Sequence, residues 1–319
     1  MIARPPRPPG SATVARPAAA AATSAWAAAA ATASYTSATV WYTSSCMAGH
    51  RSERADGEPA IPVALSIAGS DPSGGAGIQA DLKTFHAFGV YGAAVITALT
   101  VQNTRGVRAV HPVAPDVVIA QLDAVDDDLP IGAAKLGLVA DPALAAALAS
   151  RLARRPLPNL VVDPVLVAGS GDALASAGTA AALGALLPHA VLVTPNLAEA
   201  AALTGRPVED VGGMKEAARV LVGHGARAAL VKGGHLPDRP IDVLAVGTDV
   251  LELDAARIPS GPTHGTGCTL SAGIAAALAG GADLLAAVTR ARRFVHRALA
   301  AAPRIGGGSR PLDHRVTSA

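Results

Sequence analysis

The chain has 319 residues, of which half are hydrophobic and 16% are charged, a composition that suits one sizeable α/β domain with a buried core. Its net charge of +2 is uneven, because the first 52 residues carry four arginines and no acid while the remainder is close to neutral. A near-neutral body argues against nucleic-acid binding, no run of 18 apolar residues indicates a membrane span, and two cysteines are too few for a disulfide framework. We therefore expect a cytoplasmic protein with neither a nucleic-acid nor a membrane partner.

Residues 1–58 differ in composition from the rest of the chain. Ala, Pro, Ser and Thr dominate, no helical or strand period persists, and we predict a disordered tail. Pro-Pro pairs and scattered Ser and Thr argue against a secretory signal, whereas the arginines and the lack of acids before Glu53 fit an organellar transit peptide. The interpretation favoured here is a dispensable tail, with Met47 as a candidate translation start.

Residues 59–305 are predicted to form the folded domain, followed by a flexible C-terminal tail at 306–319. The predicted strands are Pro62–Ala68, Ala93–Thr100, Ala133–Val139, Leu160–Val165, Ala190–Thr194 and Ala228–Lys232, with a late hairpin of Asp242–Val246 and Val250–Leu253. The predicted helices are Ala76–Phe88, Pro115–Asp127, Pro142–Arg155, Leu197–Leu203, Gly213–Val222, Thr266–Ala279 and Leu284–Ala301. Continuous apolar strands that alternate with helices predict an α/β fold, in which helices cover both faces of a mostly parallel sheet.

Unusual polar and glycine residues follow several of the predicted strands. They are Gly69–Gly77, Gln102–Asn103, Asp163, Asn196–Glu199 and Lys232–His235. Parallel α/β sheets bind their ligands at the carboxyl ends of the strands. The sequence therefore predicts one shared active-site edge.

The first of these segments, GSDPSGGAG at 69–77, follows a strand and opens a helix. Its glycines allow the backbone to approach a ligand, and the helix start offers free N–H groups. The Gly-Lys-Ser/Thr of a nucleotide P-loop is missing, and so is the GxGxxG of a dinucleotide fold. A tight strand-to-helix turn without a ligand is the alternative.

A second glycine segment, THGTGCTLS at 263–271, precedes a long apolar helix. Several backbone amides at a positive helix end can bind an anion and stabilise charge on a transferring phosphoryl group. Cys268 falls in the first helical turn, where we expect its thiol pKa to be lowered. The alternative is a buried structural cysteine behind a glycine turn.

Charged side chains at the same edge suit a phosphate and Mg²⁺. Asp163 ends a strand, and the spacing of Asn196 and Glu199 places them on one helical face. Carboxylates near an anion site suit Mg²⁺ held largely through water, and Lys232 at a strand end can meet a phosphate. The alternatives are an N-cap, a solvated helix face and an exposed loop lysine.

Together these segments resemble the hydroxymethylpyrimidine/phosphomethylpyrimidine kinases of thiamine biosynthesis, within the ribokinase-like superfamily. The resemblance covers about Ile61 to Pro303. The matching blocks are AGSDPSGGAGIQADLKTF (68–85), ITALTVQNT (96–104), KLGLV (135–139), VVDPV (161–165), TPNLAEAAAL (194–203), VKGGH (231–235) and THGTGCTLSAGIAA (263–276). Seven ordered blocks are far more specific than the GTGC block alone, whose form with Asp in place of Cys occurs in many sugar kinases.

The resemblance implies a three-layer α/β/α ribokinase-like fold with a mostly parallel central sheet, assembled as a homodimer. It implies ATP and Mg²⁺ as cofactors. The expected reaction phosphorylates 4-amino-5-hydroxymethyl-2-methylpyrimidine to its monophosphate and then to the diphosphate.

The resemblance also assigns roles to single residues. Gln102 matches the pyrimidine-recognising glutamine, whose amide can donate and accept at once. The other matched substrate positions are Gly69, Ala76, Asp81, Val165 and Leu138, of which Leu138 stands where the family has methionine. Phosphate contacts are implied for Asn196, Lys232 and Thr266, and contacts to Mg²⁺ and its waters for Asp163 and Glu199. Gly265, Gly267 and Cys268 would form the anion hole, with Cys268 in the place of the Asp base of relatives.

Three other functions are alternatives for this sequence. A pyridoxal-type vitamin kinase of the same fold is the nearest, because it too phosphorylates a hydroxymethyl group on a nitrogen heteroaromatic ring; Gln102 favours the pyrimidine. A nicotinamide-dependent oxidoreductase lacks its GxGxxG signature here. A noncatalytic pyrimidine sensor is disfavoured by the intact set of Lys232, Glu199 and Cys268.

Overall fold

The computed structural model describes residues 61–168, 171–234, 236, 239–259 and 261–318. The predicted tail at 1–58, with Cys46 and Met47, lies outside the described residues, as does His235. No helix within the described ranges is long and apolar enough to cross a bilayer.

A nine-stranded sheet in the order β3-β2-β1-β4-β5-β6-β7-β8-β9 forms the centre of the fold. Neighbouring strands from β2 to β7 pair in parallel, whereas β3, β8 and β9 pair antiparallel at the two edges. The strands are β1 Val63–Ser70, β2 Tyr91–Asn103, β3 Gly106–Pro112, β4 Ile131–Leu136, β5 Leu160–Val162, β6 Leu192–Val193, β7 Ala228–Val231, β8 Ile241–Val246 and β9 Asp249–Asp254. The sequence did not predict β3, whose residues are half-exposed at the sheet edge.

Helices cover both faces of the sheet. They are α1 Gly77–Ala87, α2 Pro115–Asp128, α3 Pro142–Arg154, α4 Thr179–Leu183, α5 Leu197–Thr204, α6 Val211–Gly223, α7 Thr266–Ala279 and α8 Leu284–Ala300. One core cluster includes Leu122 of α2 and Leu148 of α3, and a second, on the other face, includes Phe85 of α1 and Phe294 of α8. Two helical layers on one sheet confirm the predicted three-layer architecture.

Helix α7 is the most deeply buried helix element around the site. Every residue from Thr269 to Leu278 is buried, which is typical of a helix that is apolar on all sides. Burial of a large apolar side chain contributes about 1.5–3 kcal/mol, so packing along α7 fixes the direction of the helix. Its N-terminus is thereby held at the edge of the sheet where β1 and β5 end.

The C-terminal residues pack on this body, which was not expected of a segment predicted to be a flexible tail. Arg310–Pro311 form a short strand, β11, that pairs with Thr263–His264, β10. Leu312 is 4% exposed, and His314 Nε2 lies 2.9 Å from Thr269 Oγ1 of α7. Residues 306–319 pack through single residues and present no repeating apolar face. Their sequence therefore has no helical or strand period from which packing could be predicted.

Candidate active site

A cavity of about 1300 Å³ lies at the carboxyl ends of the parallel strands, where the polar segments were predicted to meet. The predicted site residues in its wall are Gly69, Ala76, Gln102, Leu138, Asp163, Val165, Asn196, Glu199, Lys232, Gly265, Thr266, Gly267 and Cys268. The topology explains this meeting, since β1, β4, β5, β6 and β7 all run parallel and all end at this edge.

The backbone of the glycine-rich loop after β1 is hydrogen-bonded to a carboxylate of the same loop, that of Asp71. Asp71 accepts hydrogen bonds from the backbone N–H groups of Ser73, Gly75 and Ala76 at 2.8, 3.1 and 2.8 Å. Burial would raise the pKa of Asp71, but the side chains of His264, Ser73 and Gln102 together with the Ser73 amide hold it well below its usual range. The amides of Ser73, Gly75 and Ala76 are therefore already bonded within the loop, as the tight-turn alternative expects of the residues before α1.

The two glycine-rich segments contact each other. His264 Nε2 lies 3.1 Å from Asp71 Oδ2. A Cβ atom at Gly265 would lie 1.8 Å from the carbonyl oxygen of Gly75. Gly265 also has a φ of +85°, a conformation that favours glycine. Because Gly265 is the N-cap of α7, this contact fixes where the helix begins.

The first turn of α7 presents backbone amides without partners in the helix. The backbone N–H groups of Thr266, Gly267 and Cys268 have no acceptor within the helix, and the helix end carries a partial positive charge. Lys232 places a full charge beside them. Its Nζ is so close that a Cβ atom added at Gly267 would lie 3.1 Å from it. Oriented amides with an adjacent cation can hold a phosphoryl group and stabilise the charge that develops on it.

Lys232 lies between two buried carboxylates. Its Nζ is 2.8 Å from Asp163 Oδ1 and 3.8 Å from Glu199 Oε2. Burial would lower the pKa of Lys232, but the two carboxylates outweigh burial and raise it. Burial raises the pKa of Glu199 to about 6, whereas at Asp163 burial is outweighed by Lys232 and Lys135, which lower the pKa. Lys232 is therefore charged and Asp163 ionised at pH 7.

Asn196 and Glu199 cap α5. Glu199 N–H donates to Asn196 Oδ1 at 2.9 Å, and Asn196 N–H donates to Glu199 Oε2 at 2.8 Å. This reciprocal pair is a capping box with Asn196 at the N-cap and Glu199 three residues later. Glu199 is buried, so it does not lie on a solvated helix face. Both also line the cavity, and the cap holds the Glu199 carboxylate close to Lys232.

Cys268 has the opposite pKa shift from the one predicted. Burial raises the pKa of its thiol to about 11, and the charges of Asp81 and Asp163 add to burial against the lowering by Lys135. A helix start alone lowers a thiol pKa, but the prediction considered no neighbour outside the helix and was therefore wrong. With these neighbours the thiol is neutral at pH 7.

Asp81 does not match its predicted role as a substrate contact, because it lies behind the cavity wall. It is fully buried and accepts hydrogen bonds from Lys135 Nζ at 2.8 and 3.0 Å and from Ser66 Oγ at 2.6 Å. Its partner Lys135 does line the cavity. Burial would lower the pKa of Lys135, but the charge of Asp81 outweighs burial and raises it. Asp81 thus fixes a positive charge in the wall.

Comparison with known proteins identifies the family. The family model described as Phosphomethylpyrimidine kinase matches residues 71–313. A hydroxymethylpyrimidine/phosphomethylpyrimidine kinase of Rhizobium meliloti is 53% identical over 257 residues, covering 79% of this chain and 96% of the relative. The chain belongs to the phosphomethylpyrimidine kinase family. It is a kinase, and the oxidoreductase alternative is excluded.

Solved structures agree with this assignment. The kinase is similar to a pyridoxal kinase of Bacillus subtilis, solved as an ADP complex, with a TM-score of 0.74 and 35% identity over 80% of this chain and 98% of that one. It is similar also to the phosphomethylpyrimidine kinase of Clostridium difficile 630, with a TM-score of 0.66 and 37% identity over 75% of this chain and 100% of that one. The predicted ribokinase-like fold is confirmed.

The donor groups of the kinase fit Mg²⁺ held through water. Asp163 Oδ1 already accepts hydrogen bonds from Lys232 at 2.8 Å and from Thr194 at 3.1 Å, and Oδ2 accepts one from Ser271 at 3.2 Å. Within the described ranges no group of three or more His, Cys, Asp or Glu residues could hold a metal ion. Two carboxylates of this kind suit a hydrated Mg²⁺ that takes its other ligands from substrate phosphates.

Sequence reasoning missed four polar side chains that build the site, namely Asp71, Lys135, His264 and Ser271. One signal was available for Lys135: it lies within an apolar strand, where a lysine is rarely tolerated unless it is paired. Nothing in the sequence distinguishes Ser271 from other serines, since its bond to Asp163 joins two distant parts of the chain.

Proposed function

We propose that the kinase uses ATP to phosphorylate 4-amino-5-hydroxymethyl-2-methylpyrimidine, first on the hydroxymethyl group and then on the resulting phosphate, in the synthesis of thiamine. The observation that carries this proposal is the position of Lys232 against the first turn of α7, in the same cavity as Gln102. A phosphate-binding end and an amide suited to a pyrimidine edge thus border one space.

The cavity has room for an acceptor and a nucleotide together. Its volume of about 1300 Å³ exceeds the roughly 300–1,000 Å³ that is typical of a pocket for one small molecule. One part is lined by Gln102, Leu138 and Val165, and another by residues 254–259 and α8. We place the pyrimidine in the first part and ATP in the second. The ADP bound to the similar pyridoxal kinase supports ATP as the donor.

In the transfer, the hydroxymethyl oxygen bonds to the γ-phosphorus while the bond to the β–γ bridging oxygen breaks and ADP leaves. The first-turn amides of α7 and the ammonium of Lys232 stabilise negative charge on the γ-phosphoryl oxygens. Bound Mg²⁺ supplies further charge neutralisation, and Asp163 and Glu199 would hold its waters. Cys268 Sγ takes the hydroxyl proton in the small fraction of molecules in which it is a thiolate at pH 7. Asn196 and Thr266, which line the same cavity, would contact the ATP phosphates.

Gln102 favours the pyrimidine over a pyridoxal-type vitamin. Its side chain lines the cavity and lies near Asp71, where it helps to lower the pKa of that carboxylate. A primary amide donates and accepts hydrogen bonds at once, which suits the ring nitrogen and the exocyclic amine of the pyrimidine. The 53% identical relative, which is named for the pyrimidine, supports the same choice.

The Gln102→Leu variant tests this assignment. Leucine keeps roughly the same volume but leaves polar ring atoms unpaired, a loss of about 1–3 kcal/mol per buried group. We expect the KM for the pyrimidine to rise by about 5- to 150-fold while the KM for ATP stays within twofold. Steady-state kinetics with each substrate varied would measure both values.

The matched control is Gln121→Leu, because Gln121 bonds to the backbone of Ile96 outside the cavity. Both KM values should stay unchanged in that variant. An equal rise in the KM values for the pyrimidine and for ATP in Gln102→Leu, or no rise in either, would contradict the assignment. Faster turnover of pyridoxal than of the pyrimidine by the unaltered kinase would support the alternative vitamin kinase.

The oligomeric state and the cellular location are part of the proposal. We infer a homodimer from the family resemblance, and light scattering of the full chain would give its mass. The single cysteine among the described residues, Cys268, is free, which fits a reducing cytoplasm. Fractionation of cells with an antibody to the chain would test that location.

A further inference from the structure

The hairpin of β2 and β3 carries part of the acceptor pocket. Thr100 and Gln102 line the cavity from β2, and the chain turns back at Thr104. On one side of the turn, Val107 N–H donates to Asp172 Oδ2 at 2.9 Å. Gln102 is only two residues from the turn, so its position depends on whatever holds the turn in place.

The C-terminal segment holds the other side of this turn. Ser309 N–H donates to the carbonyl oxygen of Thr104 at 2.7 Å. Gly308 lies so close that a Cβ atom there would be 1.9 Å from the same oxygen and 2.7 Å from Arg105 Cα. These neighbours are backbone atoms, which cannot turn aside as a flexible side chain can. The approach therefore requires glycine at 308.

The same segment also holds the strand that leads into the first turn of α7. Arg310–Pro311 pair in parallel with Thr263–His264, and Arg310 N–H donates to the carbonyl oxygen of Pro262 at 3.0 Å. Gly265, the N-cap of α7, follows directly. Contacts of the backbone thus run without interruption from the hairpin turn to the start of α7.

We propose that residues 306–311, which we name the C-terminal clasp, are a positioning element that fixes Gln102 relative to the first turn of α7. The inference rests on the proposed function, in which the pyrimidine ring bonds to Gln102 while its hydroxymethyl group meets the phosphoryl group at α7. Productive transfer then requires one distance between the two walls, and a displacement of about 1 Å can cost up to 10²-fold in rate. The clasp itself lines no part of the cavity.

Adjacent glycines provide a matched pair of variants. In Gly308→Ala the new methyl group collides with the backbone of Thr104, whereas in Gly307→Ala it meets only the end of the Arg105 side chain, 2.9 Å from Nη2, which can move. We expect Gly308→Ala to raise the KM for the pyrimidine by about 3- to 10-fold, the worth of one lost hydrogen bond, and to lower kcat. The KM for ATP should match that of Gly307→Ala.

Amide hydrogen exchange gives a readout that does not depend on activity. Residues 101–107 should exchange faster in Gly308→Ala than in Gly307→Ala, and β7 should be unchanged in both. Should Gly308→Ala not fold, Leu312→Ala removes a buried anchor next to the clasp without adding any atom and should give the same split. If the unaltered kinase fails to phosphorylate the pyrimidine, the proposed function is lost while the exchange experiment still decides whether the clasp holds the turn. Identical kinetics and exchange in the two alanine variants would overturn the inference. An equal rise in the KM values for both substrates in Gly308→Ala would also overturn it.

Discussion

Replacing Gly265 with alanine should lower kcat by about 10²–10³-fold, the usual cost of a lost donor to a developing oxyanion. The alanine methyl group cannot lie 1.8 Å from the Gly75 carbonyl oxygen, so the segment must move away from the loop after β1. This movement carries the first-turn amides of α7 with it. Because the amides act on the transferring phosphoryl group, the loss should appear in kcat more than in either KM.

Gly281→Ala is the matched control for Gly265→Ala. Gly281 has the same φ of +85° but no atom within 4 Å of a Cβ, so both variants carry the same backbone strain, about 1–2 kcal/mol. Gly281→Ala should melt at a lower temperature and keep its kcat. A Gly265→Ala enzyme that retained half of the original kcat would show that the amides of α7 do not stabilise the transfer.

Replacing Cys268 with alanine should lower kcat by about 10²–10⁴-fold, the usual contribution of a general base. The thiol pKa of about 11 adds a pH signature. Only the thiolate can take a proton, and its fraction rises about tenfold per pH unit below the pKa. Therefore kcat of the unaltered kinase should rise between pH 7 and pH 10.

Cys268→Asp separates the base role from packing. A carboxylate is already ionised at pH 7, so this variant should recover part of the rate, and its kcat should be flat over the same pH range. If Cys268 only fills space, alanine should cost stability and leave kcat nearly intact. An alanine variant that melts normally and turns over at the original rate would exclude the base role. Such a rate would have a physical reason, because a loose, metaphosphate-like transition state needs little help in removing the hydroxyl proton.

The sequence predicted the parallel strands and the long helices closely, because their residues are buried on regular faces. For β1, predicted at Pro62–Ala68, the structure gives Val63–Ser70, and for α7 the bounds agree. It missed β3 because half-exposed edge residues need not be apolar. It missed the packing of the C-terminal segment because single contacts leave no periodic pattern.

The candidate site was predictable in membership but less so in electrostatics. Polar residues at strand ends meet because of the sheet topology, which the alternation of strands and helices in the sequence predicts. The thiol pKa of Cys268 depends on burial and on Asp81, Asp163 and Lys135, which come from separate elements. The closed ring of bonds around Asp71 likewise depends on how two distant glycine segments pack, which residue types alone do not determine.

The most direct measurement is mass spectrometry of the products formed by the purified full chain from ATP, Mg²⁺ and 4-amino-5-hydroxymethyl-2-methylpyrimidine. We predict the monophosphate first and then the diphosphate, with one ADP released for each phosphoryl group transferred. Unchanged pyrimidine, with or without ATP hydrolysis, would contradict the central claim.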